Sequence, residues 1–445
     1  MKSAIAKLSP EQTLDYLLTQ AKTCTESAEA YYLSTEDTPI EFENNRLKSL
    51  QTKAQQGVAL RVIAHGKIGF ASSTDLSRLD DLVAAAVQTA EIGEPADFEF
   101  ASEAIPSNTV SEVELSPQPT TDRLVTIGDR LISQVRAYNP EILVNVDFHL
   151  RSRLTAIATN SGVMATRRNH TTSSSLGGNL VKGEDFLQAY SYEVVRQGEP
   201  NYDRLVEQVI QKYRWSETLA QVHSGTLPVL FTPRAVASTI GGLFDTVLSG
   251  QAIAQKASPL ADKLGQTLFD RRLTIFEDPS LGVSACRFDD EGTPTSAKTF
   301  INQGAVECFY WDRRWAAKAE RRSTGNGFRG GLSRPFPNTI NLCIAPSKTS
   351  YADLIAQMEE GLIVDQVLGA GQSNQLAGEF SVNLDLGYKV ERGKIVGRVK
   401  NTMVAGNIFA AFKDLIDLSS ETEWVGGGAL VPAILFAQLG VAARS

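Results

Sequence analysis

The residues best suited to chemistry in this 445-residue chain are few and scattered. Asp289-Asp290-Glu291-Gly292 places three carboxylates side by side, but without the D-x-D-x-D-G spacing of a calcium loop. A turn whose carboxylates pair with arginine or cap backbone N–H groups is the plainer expectation. The four histidines, His65, His149, His170 and His223, stand far apart, so the two imidazoles that H-E-x-x-H sets on one helix face have no counterpart. Cys24, Cys286, Cys308 and Cys343 form no C-x-x-C pair and are expected to act as small buried hydrophobes. Gly325-Asn326-Gly327-Phe328-Arg329-Gly330 matches G-x-G-x-x-G. A helix-like run, Asp312 to Arg322, precedes it and Ser333-Arg334-Pro335 follows, whereas a dinucleotide site needs a strand before and a helix after. Glu359 and Glu360, near Asp365, are adjacent on a helix and point apart, which disfavours an acid pair. Arg313, Arg314, Lys318, Arg321, Arg322, Arg329 and Arg334 are the densest basic cluster, read as a solvated helix face or half of an acidic–basic subunit interface.

The elements that must position these groups alternate between helix and strand. Ser9-Pro10 opens a helix, with an N-cap serine and proline at the first position. Strands are expected at 28–34 and 39–42, and a hairpin at 57–73 turning at His65-Gly66. Residues 94–120 read as a surface connection. Paired strands surround Asn160-Ser161-Gly162, and Tyr202 to Leu219 reads as a helix. Thr226 to Thr232 is a buried strand leading at Pro233 into a smooth helix to Gly250, whose only charges are Arg234 and Asp245. Its central residues are Thr239, Ile240, Gly241, Gly242, Leu243, Phe244 and Asp245. Phe380 to Val390 alternates apolar and polar residues, as a half-buried strand does. The fold class is α+β. An N-terminal domain, 1–222, carries antiparallel sheet with packed helices, and a C-terminal domain, 223–445, is dominated by antiparallel sheet with a few helices.

The length exceeds what one core supports, which favours two domains. A net charge of −8 disfavours a general nucleic-acid binder. The start, Met1 to Ser9, lacks an apolar segment of signal-peptide length, so the expected compartment is the cytoplasm. Val425 to Ala443 is apolar enough to resemble a span, but its glycines and Pro432 favour buried terminal strands, and no membrane is expected.

Taken in order, many short stretches of the chain resemble the TldD/PmbA proteins, once called modulators of DNA gyrase. They are Glu43-Asn44, Gly57, Arg61-Val62 and Gly66 to Ala71; Phe288 to Pro294, Asn302 to Gly304 and Ser323-Thr324-Gly325-Asn326; then Gly361 to Val364, Gly369-Ala370-Gly371, Gly378 to Ser381, Gly387-Tyr388 and Ala405-Gly406-Asn407. In that family the TldD-type subunit resembles a zinc metallopeptidase, with His-Glu-x-x-x-His on the helix matching 233–250 and a Cys ligand near the C-terminus. This chain departs from the pattern at every ligand. The helix holds no His, Cys or Glu; no Cys follows Cys343; and Gly426-Gly427-Gly428 stands in the C-terminal region. The departure resembles the PmbA/TldE branch.

The resemblance therefore implies a non-catalytic subunit with no catalytic residue and no metal ligand of its own. Zinc is expected in a TldD-like catalytic partner, and the pair is expected to cleave small or unfolded peptides. A dimer is the expected assembly. Asp289, Asp290, Glu291, Gly292, Ser323, Thr324, Gly325, Asn326 and Arg329 are the expected peptide or partner contacts. Gly241 and Gly242, each costing about 1 kcal/mol in a helix relative to Ala, suggest close approach of another backbone. The alternative reading is a homo-oligomeric peptide- or partner-binding scaffold without protease activity.

Overall fold

The computed structural model describes residues 8–103, 105, 117–370 and 374–443; most of the Met1–Ser9 segment, part of the 94–120 connection and Gly371 lie outside them. Seven strands build a first sheet: β1 (Ser27–Glu43), β2 (Arg46–Leu50), β3 (Lys53–Ala64), β4 (Lys67–Ser73), β5 (Leu143–Thr159), β6 (Met164–Lys182) and β7 (Asp185–Val195). All pairings are antiparallel, in the order β4-β3-β1-β5-β6-β7 with β2 beside the end of β1. The two strands expected at 28–34 and 39–42 are one. Pro39 sits where the neighbour of β1 changes from β3 to β2, and this break in the ladder accommodates the missing N–H.

Strand alternation assigns the faces. Ala28, Ala30 and Tyr32 of β1, with Leu60 and Val62 of β3, pack under the helices Pro10–Ala21 and Leu79–Glu91. The first helix carries a full capping box, Ser9 receiving the Gln12 N–H and the Gln12 side chain receiving the Ser9 N–H. Glu29, Tyr31 and Arg61, the intervening residues, point to the other face. Farther along β1, Ile40 and Phe42 join Val144, Val146 and Phe148 of β5 beneath the helices Thr121–Tyr138 and Tyr202–Trp215.

The second half supplies β8 (Gly225–Phe231), β9 (Ile275–Glu277), β10 (Lys298–Asn302), β11 (Ala305–Val306), the ribbon β12 (Gly327–Phe328) with β13 (Phe336–Pro337), β14 (Leu342–Ile344), β15 (Glu360–Leu368), β16 (Glu379–Glu391), β17 (Lys394–Arg398), β18 (Thr402–Asn407), β19 (Leu415–Val425) and β20 (Ala429–Ala443). Pairing is mostly antiparallel; β8 with β15 and β14 with β20 are parallel. The pairings β8–β15–β16–β18–β20–β8 return to their starting strand, which leaves those five without a free outer edge in the ring. β20, the run once resembling a span, lies at the centre of this sheet, and no described helix is long and apolar enough to cross a membrane.

This sheet is buried on both faces. Val229 and Phe231, Leu362 and Val364, Ile434 and Phe436 face the helix that follows β8. Leu230, Ile363 and Leu435, one residue out of step, face the core shared with β1, β5 and the helices Thr121–Tyr138 and Tyr202–Trp215. One hydrophobic core therefore spans the two sheets, beyond what separate domains imply.

The helix after β8 is not the smooth run expected. It starts at Pro233–Ala235 under the Thr232 cap, widens into a π-helical turn at Val236–Gly241, resumes as Gly242–Leu248, and breaks at the extended Ser249 before Gly250–Ala254. Gly241 and Gly242 touch no foreign backbone: a Cβ on Gly242 would meet nothing within 4 Å. The glycine held by close approach is Gly250, where a Cβ would lie 2.3 Å from the Trp311 ring and 2.6 Å from the Tyr310 carbonyl oxygen. Cys286 and Cys343 are buried as expected, but Cys24 is exposed and Cys308 half-buried.

Replacing Gly242 with Ala is expected to raise stability by about 0.5–1 kcal/mol, because the site is helical and open. Gly250→Ala is expected to lower it by about 1–3 kcal/mol through overlap with Trp311. Urea unfolding of the two variants measures both.

Candidate functional site

The acidic turn at 289–292 lies inside the molecule, at the seam between the two halves. Asp289 builds the turn: one carboxylate oxygen accepts from the Glu291 and Thr293 N–H groups at 2.9 and 2.8 Å, the other from the Gly327 N–H at 2.8 Å. The turn carries Glu291 to Arg61 of β3, whose guanidinium grips Glu29 through two nitrogens (2.8 and 2.5 Å) and Glu291 at 2.9 Å. Glu29 and Arg61 are register partners on adjacent strands, which pre-sets this fork. Arg329 donates to Glu29 from the opposite side, to the Asp290 carbonyl at 3.1 Å, and lies over the Tyr31 ring. Arg167 of β6 closes the cluster on Asp290 at 2.6 Å. Side chains of Glu29, Glu291 and Arg329 have no solvent exposure.

The remaining motif residues frame this cluster. Asn326 donates to Glu277 and the Asn338 carbonyl and accepts from Lys298 and Thr324. Lys298 and Glu277 form a second buried pair at 2.5 Å. Ser323 and Thr324 bond the Trp311 backbone, and Gly325 takes a left-handed φ of +72° against the Pro294 carbonyl. Gly327 is required because a Cβ would strike the Glu291 carboxylate at 2.2 Å. Gly292 also turns left-handed, at +77°. The side chains of Asp289, Asp290, Glu291, Asn326 and Arg329 are thus engaged within the chain. Glu29 and Arg167 were not singled out from sequence, and Arg61 only as part of a family motif; a charge within an apolar strand was the signal for Glu29 and Arg61, whereas Arg167 stands in the polar run Thr166 to His170 and gave none.

Burial sets the electrostatics here. It pushes the Asp289 carboxyl well above its usual range, with Glu291 adding to the effect. Burial, then Glu291, raises Asp312 to about 7. Arg61 stays charged because Glu29 and Glu291 outweigh its desolvation.

The basic stretch after Asp312 serves the same seam. Its helix is only Arg313–Lys318, capped by Asp312. Arg313 pairs with Glu103, and Arg314 and Lys318 with Glu94, so its expected acidic counterpart lies in this chain. Residues 98–101 of the expected surface connection are drawn in: Phe98 and Phe100 flank the Arg61 guanidinium, and Phe100 and Ala101 are buried.

A cleft of about 410 Å³ runs beside the 233–248 helix. The helix presents Arg234, Ala237, Ser238, Gly241 and Asp245, a helical-period stripe, while Ile240, Leu243 and Phe244 enter the core. Thr239 is buried, and Gly242 is exposed outside the cleft lining. Facing the stripe are Tyr190 and Tyr192 of β7, Thr339, Gln366 of β15, and Gly426 and Gly428 from the β19–β20 turn. Burial raises the Asp245 carboxyl to about 6 although it accepts from the Thr339 hydroxyl at 3.0 Å. The second cavity, about 520 Å³, meets the first at Arg234 and holds the Lys212–Asp365 pair at 2.7 Å.

A two-sheet α+β chain with a strand-to-helix element beside an open cleft is the class that these features define. The sequence matches the PmbA/TldA metallopeptidase C-terminal domain over residues 224–443 and the PmbA/TldA metallopeptidase domain 1 over 28–90. The chain belongs to the TldD/PmbA family, whose members are of metalloprotease type. An uncharacterized protein of Methanocaldococcus jannaschii is 22% identical over 92% of this chain and 94% of that protein. The metalloprotease PmbA of Escherichia coli O157:H7 is 28% identical over 44% of this chain, a match spanning 41% of its own length. The crystal structure of TldE from Thermococcus kodakarensis superposes with a TM-score of 0.85 at 22% identity, covering 97% of this chain and 100% of that one.

The family implies zinc, and the donor set beside the helix does not fit it. Catalytic zinc takes about three His, Cys or carboxylate ligands. The cleft offers one such group, Asp245, and among the described residues no three His, Cys, Asp or Glu side chains are grouped to hold a metal.

Arg61→Met leaves Glu29 and Glu291 buried without their shared cation and is expected to cost about 3–5 kcal/mol in urea unfolding. Arg78→Met, breaking an exposed pair with Asp81, is expected to cost under about 1 kcal/mol. Asp312 has a folded pKa above the unfolded one, so the fold binds the extra proton and this stability contribution is lost as pH rises from about 4 to about 7. Asp312→Asn keeps a cap acceptor for the Trp315 N–H and is expected to flatten the stability–pH slope there. It is expected to gain about 1–3 kcal/mol over the parent at pH 8, read from unfolding curves at pH 5 to 8.

Proposed function

We propose that this chain is a PmbA/TldE-like, non-catalytic subunit that works with a TldD-like zinc metalloprotease in the proteolysis of small or unfolded peptides. The observation that carries the reading is a convergence. The two segments where the family resemblance implies zinc ligands, the 233–248 helix and the C-terminal region with Gly426–Gly428, line one cleft, and neither supplies a His or a Cys; Asp245 is the one carboxylate there. The partner then contributes zinc, its ligands and the base that activates water. This chain contributes walls to the peptide chamber and helps to hold the peptide.

The cleft is shaped for that task. It is concave, its volume lies in the range of small-ligand sites, and its wall mixes tyrosine faces with small residues and backbone. The π-helical turn at Val236–Gly241 widens the helix at the cleft wall, and such turns recur at functional sites.

Co-expression with a TldD-like chain from the same genome is the test. The expected result is a stable heteromer with zinc bound in the partner, peptide cleavage by the heteromer, and none by this chain alone. One tightly bound zinc per isolated chain, together with turnover, would overturn the reading. Self-association of the chain with no affinity for the partner would favour the scaffold alternative.

A further inference from the structure

We propose that the cleft beside the helix anchors a short extended peptide by its free C-terminal carboxylate at Arg234. The inference rests on the reading that this chain helps to hold peptide.

Arg234 is mounted as a recognition group. Its guanidinium carbon lies 4.4 Å from the Tyr190 ring centroid and 4.6 Å from that of Tyr192. Those tyrosines are two apart on β7 and so project from one face of the strand. Two ring contacts restrict the orientation of the guanidinium while leaving its edge available for hydrogen bonds. Among the described residues, Nη1 is buried and has no hydrogen-bond partner. The Asp365 carboxylate, which burial would raise in pKa but the charges of Lys212 and Arg234 lower, makes its direct contacts with Lys212 at 2.7 Å and the Thr232 hydroxyl at 3.1 Å, so it leaves the hydrogen-bonding capacity of Nη1 unused. A planar two-oxygen anion entering the cleft meets the forked donor geometry that favours arginine for carboxylates.

The cleft also defines length and direction. Its charged wall groups are Arg234 and Asp245, a cation and a carboxylate on one helix face. Eleven helical steps separate them by roughly 16 Å, which is about five residues of extended peptide. Ala237, Gly241 and Gly428 keep the space between them open. A peptide with its carboxylate at Arg234 places its amino end toward Asp245. Across Arg234, the second cavity is lined by both signs of charge, Glu207, Glu421 and Glu423 together with Arg204 and Lys212, so Arg234 is the cation that the first cleft itself presents.

Calorimetric titration of the full chain with penta-alanine, as free acid and as C-terminal amide, tests this. The free acid is expected to bind at least tenfold more tightly, and Arg234→Gln is expected to erase the difference while melting like the parent. Equal binding of acid and amide by the parent chain, or binding of neither, overturns the inference and requires no variant to fold. An Arg234→Gln chain that keeps the preference overturns it too. So does tight binding of an amidated pentapeptide ending in glutamate, which would assign the site to a side-chain carboxylate. Partner capture by the parent chain and by the Arg234→Gln chain separates the two readings. Lost peptide preference with the partner retained supports both; peptide binding with no partner captured leaves this inference standing and overturns the subunit reading.

Discussion

The fork in which Arg61 holds Glu29 and Glu291 is the constraint on which the rest of this structure depends. Two of its members belong to the first sheet and the third to a turn of the second half. Buried ion pairs of this kind add little net stability, since desolvation offsets most of the attraction, but they tolerate few alternative arrangements. Here every carboxylate of the cluster has a designated donor, and each donor comes from a different segment: β3, β6, the 325–329 loop and the start of the Arg313–Lys318 helix. Sliding the two halves by one strand position would leave several charges buried and alone.

The cleft inherits its shape from that docking. One wall, Tyr190 and Tyr192, belongs to the first sheet; the other walls, the 233–248 helix and the β19–β20 turn, belong to the second. The shared core that includes Leu230, Ile363 and Leu435 supplies cohesion without direction, because hydrophobic burial is nearly indifferent to small slides. The charged seam supplies the direction. A helix without His, Cys or Glu still turns a stripe of small and polar residues toward the cleft, and that stripe keeps the cleft open.

Much of this was legible along the chain. The α+β class follows from alternation in Phe380–Val390 and from helical spacing after Pro10 and Pro233. The absence of paired histidines follows from counting. Boundaries were less legible: the strands expected at 28–34 and 39–42 are one, because the neighbour of β1 changes at Pro39 and the strand itself runs on through it. Gly241 and Gly242 looked like packing points, whereas Gly250, unremarkable in sequence, is the one pressed against Trp311. Motif residues such as Asp290 and Arg329 read as contacts for an outside molecule because charge normally marks surface, but their partners lay in the same chain, Asp290 meeting Arg167 123 positions away and Arg329 meeting Glu29 300 positions away.

The sequence by itself determined the α+β class, which faces of the long elements are apolar, and that the 233–250 helix holds no His, Cys or Glu, since each depends on local periodicity or on residue identity. Only the tertiary structure decided that the acidic turn is an internal seam, that the basic helix answers the chain's own Glu94 and Glu103, and that Arg234 stands between two tyrosines at the junction of two cavities. Those outcomes turn on pairings between residues far apart in the chain. Local propensity carries no information about which distant charge will arrive, and burial fixes the match only once both sheets have closed.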